Sequence, residues 1–450
     1  MQNEATTIKL NSKAKAETTI MLLWLAAALV LLSSIATPAR AIPSFARQLG
    51  VECTQCHTEY PQLNAFGRQF KLNGFTESQD NVSLHKKLSL MVQPSFTHTK
   101  EDQRDPPGAF NDNNNFAVNQ TSLFYGGKLA NKLGGFFQLT YDGVGEDLAW
   151  DNVEIRFADS TSMRGKPLVY GTDINNNPTV QDLWNTTPAW SFPFSASGLA
   201  PAPSASPLIQ NLGGQVVGLG AYGLWNDLVY AGLYGYRSLG EETLSTFGVS
   251  SDDVDLKLDN TAPYWRLALQ HQWGRHYLSG GTFGMTAHTY PGGDRSAGND
   301  RFTDIGLDLQ YQYDAGNSDL SLRLSSIHEQ QELDASEHLG VASNRSNHLN
   351  SFNGNISYLY DKTYGLTAGY SSLDGDADLA YYDTDNGSPN SRWTTLQFDW
   401  LPFNKQGGPA YWPWFNPKLS LQYIAYDEFD GSTKGASDND TLYLQGWLVF

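Results

Sequence analysis

The chain has 450 residues, 47 acidic and 29 basic, for a formal charge of -18, and 13% of its residues are aromatic. A soluble chain of this length would hold two or three domains. The acidity excludes a nucleic-acid partner, because phosphate backbones are met by basic surfaces.

The first element in chain order reads as an export signal. Lys9, Lys13 and Lys15 precede the thirteen-residue apolar run from Ile20 to Leu32, and Ala39-Arg40-Ala41 supplies a small-x-small cleavage pattern. Thirteen residues are too few to cross a hydrocarbon core of ~30 Å as a helix. The expectation is a signal peptide over residues 1–41 and a mature chain from Ile42. Losing that segment removes four basic and two acidic residues, which moves the charge from -18 to -20.

Next comes Val51-Glu52-Cys53-Thr54-Gln55-Cys56-His57, which contains the only two cysteines of the chain. An exported pair would ordinarily form a disulfide, but Cys-x-x-Cys-His is the attachment signature of c-type haem. Two thiols at this spacing can add to the two vinyl groups on one porphyrin edge. The histidine that follows is then placed to bind the iron. A thioredoxin-like dithiol would sit in a βαβ pattern, and a zinc site would need a second ligand pair; neither is present. One covalent haem c is therefore expected, on Cys53 and Cys56, with His57 as axial ligand. The sixth ligand is not readable. His85 and Met91 are the next His or Met along the chain, and His271 and His276 flank a short turn. His85 stands as the candidate. Arg47, Arg68 and Lys71 are candidates to pair with the propionates, the alternative being a solvated helix face. From Ile42 to Phe75 there are about 34 residues, below the size that usually folds without a staple or a host.

From residue 86 onward a period of two recurs. Ile305, Leu307, Leu309, Tyr311 and Tyr313 alternate with Gly306, Asp308, Gln310 and Gln312; Leu396, Phe398 and Trp400 alternate with Gln397 and Asp399. A soluble sandwich alternates in the same way, so connection lengths carry the choice. Strands are expected near 87–97, 119–130, 133–142, 150–158, 166–172, 214–225, 227–237, 263–273, 276–288, 303–313, 318–328, 348–360, 363–371, 392–400, 416–426 and 440–450. Tight turns at Asn131-Lys132, Asn226, Gly274-Arg275, Asp314–Asn317 and Asp361-Lys362 then alternate with long stretches such as 98–118, 173–213, 238–262, 329–347 and 372–391. Outer-membrane barrels have this asymmetry, short periplasmic turns and long extracellular loops, with an even strand count. The weak strand at 166–172 brings the count to sixteen. Aromatic residues near strand ends, among them Trp400, Trp412, Trp414 and Phe415, suit interfacial girdles. The terminal Leu442–Phe450 strand, ending in Phe, looks like an outer-membrane recognition signal. The expected fold is all-β: a transmembrane antiparallel β-barrel of about sixteen strands over 86–450, preceded by a short α-helical monohaem segment over 42–85, in the outer membrane of a Gram-negative cell. The haem segment would sit in the lumen or at the periplasmic mouth.

Two stretches carry a family resemblance. Pro43-Ser44-Phe45-Ala46-Arg47-Gln48-Leu49-Gly50, the haem motif, and Pro61-x-Leu63-x-x-Phe66-Gly67-Arg68-x-Phe70-Lys71-Leu72-Asn73-Gly74-Phe75 resemble the monohaem segment of fused cytochrome–porins, typified by the outer-membrane iron oxidases of iron-oxidising bacteria. The match spans about 35 residues. Over the barrel it is architectural, with Thr187-Pro188-Ala189-Trp190 and the strand around Trp150-Asp151-Asn152. The resemblance implies a haem segment that plugs or abuts the barrel, oxidises extracellular Fe(II) and passes electrons to a periplasmic acceptor such as a soluble c-type cytochrome. Two other functions fit the same chain: a diffusion porin whose haem segment is a structural or regulatory plug, and an outward conduit that reduces an extracellular acceptor.

The remaining sequence features are weaker. Scattered residues such as His271 and Asp308 have no triad or metal-ligand spacing and read as lumen lining or interface positions. The long stretches are acidic: Glu101, Asp102 and Asp105; Asp252, Asp253 and Asp255; Asp374, Asp376 and Asp378; Asp427, Glu428 and Asp430. Negative charge at one mouth would raise the local level of a divalent donor. The alternatives are ions bridging lipopolysaccharide, or plain solvation.

Overall fold

The computed structural model describes residues 43–78, 82–103, 106–108, 110–181, 192–240, 257–404 and 415–450. The expected signal peptide, Asp105, Thr187–Trp190, Asp252, Asp253, Asp255, Trp412 and Trp414 lie outside them. The chain enters the described region through helix α1 (Pro43–Leu49), a 3-10 turn at Cys53–Gln55 and helix α2 (Ala65–Leu72).

Strands follow without interruption by long helices. They are β1 (Leu88–Thr99), β2 (Asn115–Ala130), β3 (Leu133–Asp142), β4 (Asp147–Met163), β5 (Lys166–Asn175), β6 (Val216–Trp225), β7 (Val229–Ser238) and β8 (Lys257–Leu258). After these come β9 (Ala262–Trp273), β10 (His276–Tyr290), β11 (Asp300–Asp314), β12 (Asp319–Glu332), β13 (Ser346–Tyr360), β14 (Tyr364–Gly375), β15 (Ser391–Trp400), β16 (Asn416–Glu428) and β17 (Thr441–Val449). Each long strand pairs antiparallel with its sequence neighbours, and β17 returns to β1, with Met91 opposite Val449. The two-residue β8 only extends the edge of β10 at Thr289 and Tyr290. The result is a closed sixteen-stranded barrel, and the weak strand at 166–172 is one of its staves.

The two faces of this sheet are inverted relative to a soluble protein. Leu219, Leu233, Leu267, Leu307 and Leu366 point outward and are 53–69% exposed. On the same strands Arg266, Asp308, Gln310 and Thr367 point inward and are buried. A closed sheet has no free edge, so every ladder group is paired, and an apolar outside with a polar inside is stable only in lipid. At the short-turn end the outward positions become aromatic: Trp273, Tyr313, Tyr360, Tyr364 and Trp400 are half-buried or exposed, as in an interfacial girdle.

Several strands run longer than expected, β2, β4, β12 and β14 by four or more residues at one end. β2 begins at Asn115, with Phe116 and Val118 keeping the outward apolar alternation, and β4 continues to Met163 through Asp159-Ser160-Thr161-Ser162, which is polar on both faces. Along that run there is no apolar face to mark a period. The connection after β3 spans only 143–146 although it lies on the long-loop side. The 401–415 connection lies on the short-turn side and is longer than its neighbours.

Candidate functional site

The lumen is filled from both ends. At the short-turn end, residues 43–75 lie inside the barrel wall. Phe45, Phe70 and Phe75 form a small aromatic core, with ring centroids 5.1–5.8 Å apart, and Phe45 stacks on Phe136 of β3 at 6.0 Å. So small a cluster does not suffice for a free-standing fold, and the wall completes it. Gly134 of β3 is part of the seat: a Cβ there would fall 2.0 Å from the Gly74 carbonyl oxygen.

Polar contacts fix the orientation. Arg68 donates to Gln312 Oε1 at 2.6 Å and Gln312 Nε2 donates to the Leu63 carbonyl at 3.1 Å. Arg323 donates to Gln62 Oε1 at 2.7 Å, and Gln48 donates to the Gly126 carbonyl at 2.7 Å. Lys418 of β16 lies 3.3 Å from Glu59 and 3.7 Å from Asp399, all three buried. Two carboxyls face one ammonium there; burial and the Asp399 charge push Glu59 up, to about 8.

The Cys-x-x-Cys-His stretch forms one tight turn. The backbone N–H groups of Cys56 and His57 both donate to the Cys53 carbonyl, so the two thiols and the imidazole issue from a single turn. A hairpin holds its far side, with His57 bridged to Leu63 and Thr58 N–H donating to Gln62 O. Helix α2 packs against the turn after an N-cap in which Asn64 Oδ1 accepts from Gly67 N–H at 3.1 Å. Gly67 is obligatory for that approach, since a Cβ would meet the Cys56 carbonyl oxygen at 2.2 Å.

The chemistry of these groups fits a covalent haem. Cys53 and Cys56 are buried and not joined in a disulfide. Burial pushes the Cys56 thiol up to about 12, opposite to the depressed thiol of a redox Cys-x-x-Cys. His57 is held down to about 4 by burial, so its ring is neutral and keeps a lone pair for a metal. Its Nδ1 is shut off from solvent, and the Pro61 and Gln62 backbone lies within reach of the ring, which would orient it for a metal at the other nitrogen. Beside it lies a cavity of about 370 Å³ bordered by plug and barrel together.

The other sequence candidates are placed differently. Arg47, Arg68 and Lys71 are all buried, neither free for a ligand on a solvated face nor gathered at one point. Arg47 donates to the Leu88 carbonyl and Ser89, while Arg68 is engaged by Leu63 and Gln312 and lies 3.6 Å over the Tyr277 ring. They dock the segment to the wall. His85 is exposed in the short helix Leu84–Lys87 before β1 and does not border the His57 cavity. His271 and His276 stack their rings on Trp273 at 5.6 and 5.4 Å, and His276 lies 4.7 Å from Tyr313; His276 also borders the His57 cavity, which His271 does not. Met91 is buried in the lumen, its sulfur 3.5 Å from Gln93 Nε2.

Of the acidic loop residues, the Asp374–Asp378 group is not a free cluster. Asp374 pairs with Arg392 at 2.7 Å and Asp376 with His348 at 3.0 Å. Asp378 is buried, and its carboxylate accepts from the backbone of Ser343, Asn344 and Tyr381.

The other end of the lumen is closed by the chain's own connection between β5 and β6, a placement that the alternation of strands does not encode. Phe192 N–H and carbonyl bond Asn353, Ser195 bonds Gln445, and Ser197 bonds Thr97. Leu208, Ile209 and Leu212 enter an apolar cluster with Val216, Tyr236 and Phe283. The sign in the sequence is local: Leu208, Ile209 and Leu212 are helically spaced apolar residues inside a Pro/Ser-rich connection.

The chain is a porin-like barrel of the outer membrane. No protein-family model matches it, and no curated protein matches it in sequence. Among solved structures it is similar to the outer-membrane channel DcaP of Acinetobacter baumannii, at 11% identity and a TM-score of 0.44 over 81% of this chain and 96% of that one. It is also similar to OmpF of Salmonella typhi, at 10% and 0.45 over 81% and 97%. A third is an anion-selective porin of Comamonas acidovorans, at 12% and 0.43 over 80% and 98%. The membrane assignment itself rests on the closed sheet, its lipid-suited outer face and its turn asymmetry.

Proposed function

We propose that this barrel is an electron-transfer protein that takes electrons from an extracellular donor, Fe(II) first among them, and delivers them to a periplasmic acceptor such as a soluble c-type cytochrome. One observation carries the reading. The Cys53–His57 turn, with unbridged thiols beside a buried His57 Nδ1, is seated inside the short-turn mouth of a lipid-spanning barrel. When bound, a haem c supplies a one-electron couple at that place. Cys53 and Cys56 hold it, and neutral His57 ligates its iron. Gly67 lets α2 close on the turn, and the Arg68, Arg323 and Lys418 contacts keep the turn in the lumen rather than adrift in the periplasm. A bilayer core insulates against electron transfer, so a barrel that brings the redox group within its own wall removes that obstacle.

A second reading is a diffusion porin with a structural haem plug, favoured by the polar lumen wall. Two measurements on the purified, haem-loaded protein separate them. Mixed with Fe(II), the electron carrier gains the reduced-haem spectrum rapidly, one electron per Fe(II) oxidised to Fe(III). Solute flux in proteoliposomes with no change of spectrum would leave only the porin. Reduced haem that is reoxidised by an external acceptor but never filled by Fe(II) would reverse the direction.

A further inference from the structure

We propose that the barrel wall contributes counter-charge for the haem propionates: they lie in the cavity beside His57, held by Arg275 and Lys362 of two short turns. This rests on the reading of Cys53, Cys56 and His57 as a haem site.

The cavity is bordered on the plug side by Thr54, His57 and Arg68, and on the barrel side by Gln312, Arg275 and Lys362. It is the space into which a group ligated by His57 can extend without displacing packed side chains. A haem carries two propionates, and burying them unpaired is costly. The plug's own cations are committed to docking: Arg47 to the Leu88 carbonyl, Arg68 to Leu63 and Gln312, and Lys71 buried on α2. Arg275 places one N–H on the Ala315 carbonyl at 3.1 Å, one of the five donors of a guanidinium. Lys362 has a side chain 21% exposed and bridges Asp319 and Asp314. Both carboxylates border the same cavity, so the wall sets two cations, Arg275 and Lys362, against two anions, and Arg68 of the plug adds a third cation. Arg suits a carboxylate bidentately and Lys serves as a point charge. The consequence is that plug and barrel form one haem pocket, and its potential is tuned from the barrel wall.

The test is the haem midpoint potential of the full-length, haem-loaded protein in detergent, read by spectroelectrochemistry. A cation beside the haem opposes the ferric state, so Arg275→Gln and Lys362→Gln should each favour oxidised haem. The expected shift is threefold to tenfold in the oxidised-to-reduced ratio, tenfold being about 59 mV for one electron. Arg275→Lys, which keeps the charge, should recover most of it. Lys166→Gln, on a short turn that does not border the cavity, should leave the potential unchanged. Potentials that stay at the native value in both Gln variants, with haem attached and the barrel folded, would overturn the proposal. If the native chain instead carries no covalent haem, the underlying reading falls, a result distinguishable at once by haem staining after denaturing electrophoresis.

Discussion

The two ends of the lumen are closed by different physical means. The short-turn end holds residues 43–75 by directional polar contacts, Arg68 to Gln312, Arg323 to Gln62 and Lys418 between Glu59 and Asp399, around only a small aromatic core. The long-loop end adds burial to its hydrogen bonds, with Leu208, Ile209 and Leu212 sunk among Val216, Tyr236, Phe283 and Phe302. Burial is non-directional and tolerates small shifts, whereas a network of buried charges is all-or-none. A redox group whose placement sets its transfer rate is better held by the second kind, and a closure that only has to fill space by the first.

The largest effect should come from the polar end. Lys418→Ala leaves Glu59 and Asp399 as buried carboxyls without their cation, a loss of about 3–5 kcal/mol. Protease added to the detergent-solubilised protein should then cut within 43–78 about 100-fold faster or more, at about 1.4 kcal/mol per decade, while the barrel stays folded. An unchanged rate would mean that the aromatic core alone seats the plug. A smaller and separate effect is expected at the other end. Ile209→Ala deletes buried aliphatic surface worth about 2–5 kcal/mol, less where the site collapses. The amides of Leu208 and Ile209, which donate to Glu329 and Asp304, should exchange hydrogen at least tenfold faster. Plug amides should keep their protection; if they lose it too, the closures are one cooperative unit and the contrast fails. The smallest effect belongs to the acidic mouth. Because Arg392 already pairs with Asp374, the variant Asp374→Asn should change the Fe(II) oxidation rate less than twofold at low salt. A severalfold loss that fades with added salt would restore this loop as a guide for the donor.

The barrel was legible because its strands obey a rule local in sequence. Leu307 and Asp308 must face opposite ways wherever the strand lies, and the turn at Gly274-Arg275 must be tight whatever surrounds it. The extension of β4 escaped the same rule, since Asp, Ser and Thr on both faces leave no contrast to read. At the site, Cys53, Cys56 and His57 could be singled out because the proposed haem attachment and ligation demand fixed spacing. The partners of Arg47, Arg68 and Lys71 could not be read for the opposite reason. A cation near a motif is consistent with many partners, and only the wall decides which one it meets.

By itself, then, the sequence determined a period-two chain, sixteen strands with alternating connections, and one haem-attachment signature. Those follow from neighbours within a few residues. Only the tertiary structure decided that the apolar face looks outward, that the signature sits inside the lumen, and that Arg275 and Lys362 share a cavity with His57. Each of these joins residues more than two hundred positions apart, or depends on which solvent a face meets, and neither is written in local spacing.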